Sequence, residues 1–196
     1  LGGTIGVPQY ELDAVVHTFK AQPGRTGVHA RDFATNSINA AHPLTGLTPS
    51  HRGGVVDDPA KNGAFIYDVG DAVILQSETG YVDTAFNTLK NLLSRQYAQR
   101  QLKEGDKNSP FAMVNGVRTD IETGGIADGR VNPGPNAKLI TAILRVRAKL
   151  SDPEKREWLL GQAQRLADYW IAKQNKNDGS IPNGIEGKSQ ADVSNE

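Results

Sequence analysis

The chain has 196 residues, 37% of them hydrophobic and 22% charged, with a formal net charge of zero and no cysteine. That length suits one domain, and the composition is too apolar and too balanced in charge for a disordered chain. The balanced charge removes the electrostatic case for nucleic acid. The missing cysteines remove disulfides and thiolate metal sites. No run approaches the roughly 18 apolar residues a membrane helix needs.

In chain order, 9-QYELDAVVHTFK-20 spaces Leu12, Val15, Val16 and Phe19 as a short amphipathic helix, which Pro23-Gly24 ends. From there to about residue 62 the chain reads as loop, with Pro43, Gly46, Pro49, Gly53, Gly54 and Pro59. A loop of that length in a compact domain is usually functional. A first helix pair follows within 63–102. One helix runs from about Tyr67 to Glu78 with Val69, Ala72, Val73 and Gln76 on one stripe, and Gly80 breaks it. The next starts near Val82 and carries Ala85, Phe86, Leu89, Leu92 and Leu93 at a 3.6-residue period.

Residues 103–135 are rich in glycine and proline and read as loop; 112-AMVNGVRTDI-121 could form a short hairpin on Asn115-Gly116. A second helix pair fills 136–184. Its first helix, from Asn136 to Lys149, is expected to bury Ala137, Ile140, Ile143, Leu144 and Ala148. In 151-SDPE-154 the pattern of a capping box puts Ser151 at the N-cap of the last helix, which carries Trp158, Leu159, Ala163, Leu166, Trp170 and Ile171 and stops before 177-NDG-179. The two pairs echo each other at about 70 residues per unit, Asp68 opening one and Asn136 the other. Such pairs cannot bury both helices alone and must stack on neighbours. No convincing strand appears, so the expected fold class is all-α, built from α-hairpins with long loops. The tail, 185–196, is polar and lacks a closing element, which leads us to expect further chain or another subunit to complete the fold.

The segments 42-HPLTGLTPSHRG-53, 65-FIYDVGDAVILQSETGYVDTAFNTLKNLLSRQ-96, 135-PNAKLITAILRV-146 and 166-LADYWIAKQNKNDGSIPNG-184 resemble parts of the six-hairpin, (α/α)-toroid glycosidases and polysaccharide lyases. The resemblance implies a partial toroid with a cleft lined by helix-start loops, a carbohydrate substrate, no cofactor, and an extracytoplasmic or secreted setting. A full ring needs about twelve helices, more than the five or so that this chain offers.

Glycoside hydrolysis needs two carboxyls, one acid and one base or nucleophile. The candidates in the helix-start loops are Asp68 together with Asp120, Glu122 or Asp128; the alternative for each is an ordinary helix-start or loop acid. Tyr67, His51, Arg52, Asn115 and Asn136 form the expected substrate-binding set. A lyase would instead use His42, His51 or Tyr67 as base, with Arg52 or Asn115 neutralising a uronate. Tyr67 and Phe111 are the aromatics flanking the expected cleft, whereas Trp158 and Trp170 read as packing residues. No histidine spacing resembles a zinc site, the Asp57-Asp58 pair lacks the alternation of a calcium loop, and no metal is expected. Two functions stand side by side: a glycoside hydrolase with converging acids, and a non-catalytic helical module that binds sugar or a partner.

Overall fold

The computed structural model describes residues 26–43, 45–50, 62–95, 99–101, 109–120 and 125–184. The expected helix at 9–20, the Asp57-Asp58 pair and the polar tail lie outside them. Five helices and five short strands are present among the described residues: α1 (Thr26–Asn39), β1 (Gly63–Phe65), α2 (Ile66–Glu78), α3 (Val82–Leu93), β2 (Gln99–Gln101), β3 (Phe111–Met113), β4 (Gly116–Arg118), β5 (Ile126–Asp128), α4 (Pro133–Lys149) and α5 (Pro153–Lys173).

The helical part is two α-hairpins lying side by side. In each, the first helix is inner and the second outer. Helix α2 packs most extensively on α4, and each packs on its own partner, α3 or α5. Ion pairs mark the alignment. Asp71 of α2 meets Lys138 of α4 at 2.5 Å, and Glu78 meets Lys149 at 2.7 Å, so the two inner helices run parallel. The outer helices repeat this: Lys155 meets Asp83 at 2.7 Å and Trp158 sits edge-on to Phe86 at 5.9 Å. These exposed pairs contribute little stability each, but they record the register of the stack. The cohesion comes from one hydrophobic core that includes Val73, Leu89, Leu92, Leu139, Ile143, Leu159 and Leu166. At Gly70 an added Cβ would sit 3.0 Å from Lys138 Cγ, so the missing side chain lets α4 approach closely.

The all-α expectation is overturned: the fold is mixed. A three-stranded antiparallel sheet runs in the order β1-β4-β5, and β2 pairs with β3 in a two-stranded ribbon. The strands have three residues each. A run that short carries no readable two-residue alternation, and its pairing is chosen by tertiary context. The hairpin expected on Asn115-Gly116 does not form either, because β3 and β4 pair with different partners. Residues Phe111–Gly116 instead pass over the starts of both inner helices. The Asn115 carbonyl accepts from Ile66 N at 2.9 Å, and the buried Asn136 amide clamps the Met113 backbone. Gly116 permits this crossing: an added Cβ would meet the Phe65 ring at 3.1 and 3.2 Å and the Asp128 nitrogen at 3.3 Å.

Three further expectations are corrected. Residues 26–39, read as loop, form α1; the Thr, Asn and Ser content of TGVHARDFATNSIN hides its helical character, although the breakers Pro43 and Gly46 all lie beyond its end. Helix α4 buries Leu139, Ala142, Ile143 and Val146, while Ala137, Leu144 and Ala148 face outward. Apolar residues lie on several sides of α4, so periodicity offers two faces and the flanking helices select one. Helix α5 is capped by Asp152, not Ser151: the Asp152 carboxylate accepts from the backbone of Glu154 at 2.9 Å and Lys155 at 3.2 Å.

Candidate functional site

Helix α1 is tied to the α2–α3 corner by the Thr35 and Tyr81 hydroxyls, 3.1 Å apart. A strap, residues 48–50, runs beside it. The Thr48 hydroxyl donates to the Ser37 carbonyl, Ser50 N donates to the Gly63 carbonyl at 2.9 Å, and Phe65 N donates to the Ser50 hydroxyl at 2.8 Å. The strap is therefore pinned to α1 on one side and to β1 on the other. Between it, α1 and α2 lies a pocket of about 460 Å³, within the roughly 300–1,000 Å³ of small-molecule sites.

Its polar lining comes from Ser37, Thr48, Ser50, Asp68, Asp71 and Gln76, and its apolar lining from Pro49, Val69 and Ala72. Most of the donors are already used within the fold. Ser37 donates to the Ala34 carbonyl, Thr48 to Ser37, and Thr88, which also lines the pocket, to the Thr84 carbonyl. The acceptors are used in part: Ser50 Oγ accepts from Phe65 N and Ser37 Oγ from the Gln76 amide nitrogen. Asp68 is exposed in the first turn of α2. Gln76 is only 3% exposed; its amide nitrogen reaches Ser37 Oγ at 3.4 Å, but its Oε1 has no hydrogen-bond partner among the described residues. A buried acceptor without a donor costs about 1–3 kcal/mol; Gln76 Oε1 is sealed from solvent and shares this state with Asn115 Oδ1 and Thr119 Oγ1 of the sheet region. Asp71 is engaged by Lys138.

The other expected carboxylates do not join this pocket. Asp120 is held by the Arg118 guanidinium through both oxygens and by the Asn62 amide at 3.1 Å. Its carboxyl is depressed below 3.8, chiefly by the Arg118 hydrogen bond. Asp128 accepts from Arg130 Nη2 at 2.7 Å and from Asn115 Nδ2 at 3.2 Å, and is likewise depressed, chiefly by Arg130. A general acid needs a raised pKa; both of these are pushed the other way. Asp128 stands opposite Gly116, and Asp120 lies two residues beyond the end of β4. Glu122, His51 and Arg52 lie outside the described residues.

The expected binding residues divide in the same way. The Tyr67 ring is half exposed but is capped by the Lys138 ammonium at 5.0 Å and is not part of the pocket. Asn115 serves Asp128 and the α2 start. Asn136 is fully buried, its amide engaged with Met113 N, Met113 O and Asn132 O at 2.8, 3.0 and 2.9 Å. Phe111 is also fully buried, beneath the Arg165 guanidinium. Trp158 and Trp170 pack as expected, Trp170 edge-on to Tyr169. Among the described residues no group of three His, Asp or Glu side chains could hold a metal ion, and no helix is long and apolar enough to cross a membrane.

Sequence reasoning reached Asp68 but missed Ser37, Thr48, Ser50 and Asp71, and read Gln76 only as part of a buried stripe. One available signal was a polar side chain at a core position of α2; the other was the Asp68–Asp71 spacing, which sets two acids one turn apart on the same side. No family model, no curated protein and no solved structure matches this chain.

Proposed function

We propose that the pocket between α1, the 48–50 strap and α2 binds a small polyhydroxylated ligand, a sugar ring or the end of an oligosaccharide. The observation that carries this reading is the lining itself: the Asp68 carboxylate and the Ser37, Thr48 and Ser50 hydroxyls beside the apolar Pro49, Val69 and Ala72. A sugar supplies O–H donors along its edge and C–H groups on its faces, which suit the Pro49, Val69 and Ala72 side of the lining. The test is a titration of the isotope-labelled chain with a panel of mono- and oligosaccharides, followed by NMR. Shifts at the Asp68 and Gln76 amides are expected, and their loss in Asp68→Asn. A panel that moves neither amide at millimolar ligand sinks the proposal.

A second reading, glycoside hydrolysis, has one observation in its favour. Asp71 follows Asp68 by three residues on α2 and lines the same pocket; that spacing sets both side chains on one side of the helix, with Cβ atoms about 5–6 Å apart. Its pairing with Lys138 suits an ionised nucleophile or base, with Asp68 as the second carboxyl. Release of reducing ends by wild type, abolished separately by Asp68→Asn and Asp71→Asn, would establish it. Binding without product on every oligosaccharide bound leaves the first reading alone.

A further inference from the structure

The sequence holds three Asn-Gly pairs, Asn62-Gly63, Asn115-Gly116 and Asn183-Gly184. Such a pair can react with itself. Glycine has no Cβ, so nothing shields its nitrogen from the side-chain amide carbon of the asparagine before it. The reaction needs that side chain to swing over the following peptide, and the peptide to leave strand or helix geometry. The fold opposes both at two of the pairs. Asn62 donates its amide to the Asp120 carboxylate at 3.1 Å, its carbonyl accepts from Thr119 N at 2.7 Å, and Gly63 begins β1. Asn115 donates its backbone nitrogen to the Arg130 carbonyl at 2.6 Å and its amide to Asp128 at 3.2 Å, and its carbonyl accepts from Ile66 N at 2.9 Å. Gly116 beyond it is buried against the Phe65 ring. The third pair differs: Asn183 and Gly184 are both exposed. The hydrogen bonds that fold the segment after α5 run from Gln174 to Ser180, and among the described residues none reaches Asn183.

We propose that Asn183 is a modification site, the pair at which the folded chain deamidates with water as the only co-reactant. The Gly184 nitrogen loses its proton and bonds to Asn183 Cγ. The Cγ–Nδ2 bond breaks and ammonia leaves, which gives a cyclic succinimide. Water then opens the ring at either carbonyl. One opening gives aspartate; the other gives isoaspartate, in which the main chain runs through the side-chain carbon. Either product adds a negative charge to a chain whose formal net charge is zero. The pair lies beside the start of α4: a Cβ added at Gly184 would collide with Asn132 Oδ1 and stand 3.4 Å from the Val131 carbonyl. Asn132 is the N-cap of α4 and makes no side-chain cap hydrogen bond. A helix N-terminus favours negative charge, so the modified chain keeps its helix pair while its surface charge changes.

The experiment is incubation of the full chain in mildly alkaline buffer, with and without denaturing guanidinium chloride, followed by peptide mapping in the mass spectrometer. In the native chain the peptide that carries Asn183 should gain the mass of an amide-to-acid exchange and split into two chromatographic forms. It should convert at least about tenfold faster than the peptides that carry Asn62 and Asn115, which must wait for their strands to open. In guanidinium chloride the three rates should converge. A more alkaline buffer should speed the native reaction, because the attacking nitrogen must lose its proton. Asn183→Gln should remove the signal, because the longer side chain closes a larger and slower ring. Native conversion at Asn62 or Asn115 as fast as at Asn183 overturns the proposal. An Asn183 that stays intact in the native chain overturns it as well, whatever happens in guanidinium chloride.

Discussion

The β4–β5 sheet and the α1–α2 pocket both carry pairs of aspartates, and they use them in opposite ways. In the sheet, each acid is matched inside the fold: Asp120 by Arg118 and Asn62, Asp128 by Arg130 and Asn115. In the pocket, Asp71 is matched by Lys138, but Asp68 and the Gln76 oxygen have no partner among the described residues. The lesson is that a carboxylate in a helix-start or strand-end loop does not announce a site. What separates the two regions is the charge: the sheet acids are each neutralised by an arginine and Asp68 is in no ion pair of the described residues, whereas an unspent buried acceptor alone marks nothing, since Asn115 Oδ1 and Thr119 Oγ1 of the sheet region are unpartnered too.

The contrast can be broken most forcefully where the segment leading from β3 into β4 is joined to the inner helices. Asn136→Ala removes three hydrogen bonds and leaves the Met113 N–H and C=O buried without partners. A loss of about 3 kcal/mol or more is expected in urea denaturation. Asn136→Asp should also be strongly destabilising, because a carboxylate cannot donate to the Met113 carbonyl. Next comes Gly116→Ala, where the new methyl meets the Phe65 ring and the β5 backbone. About 1–3 kcal/mol is expected from overpacking, read from the same curves. A neutral or stabilising result would mean that β1 and β5 are free to move apart.

Smaller effects test the acids themselves. Asp120→Asn and Asp128→Asn should each cost up to about 1 kcal/mol at pH 7, as partly exposed ion pairs do. Both native carboxyls are depressed from 3.8 by their arginines. Their contribution is therefore complete above the unfolded value and fades as pH falls below it towards the folded values. The wild-type stability curve should bend down below about pH 4, and the double variant should bend less; parallel curves would show that the arginine pairs do not govern this limb. The smallest change in stability is expected for Asp68→Asn, about 0.5 kcal/mol from the α2 dipole, with sugar binding lost. A destabilisation equal to that of Asp128→Asn would make Asp68 one more structural acid and erase the difference between the two regions.

The two helix pairs were legible in the residues because their periods are long. Val69 and Val73 on α2, and Ala85, Phe86, Leu89 and Leu92 on α3, fix the inward face of each helix over three turns or more. The approximate repeat that links Asp68 with Asn136 is the linear trace of two parallel inner helices, Asp71 beside Lys138 and Glu78 beside Lys149. Local chemistry was nearly as readable: the cap of α5 differs from its expected position by one residue, because Asp152 is as good an acceptor as Ser151 and stands closer to the orphan amides of Glu154 and Lys155.

The choice between two apolar faces of α4, the pairing of five three-residue strands and the separate partners of β3 and β4 belonged to the tertiary structure. So did the fate of each polar group. Asn136 and Gln76 look alike as polar residues on apolar helices, yet the Met113 backbone fills one amide while the other keeps a bare oxygen beside a pocket. Composition and periodicity by themselves determined that this chain stacks helical hairpins around one core, because burial of an apolar stripe is a property of the sequence along one helix. Only the folded chain decided which acids are spent and which remain available, because a hydrogen-bond partner 30 or 70 residues away is a fact of three-dimensional contact that no local pattern encodes.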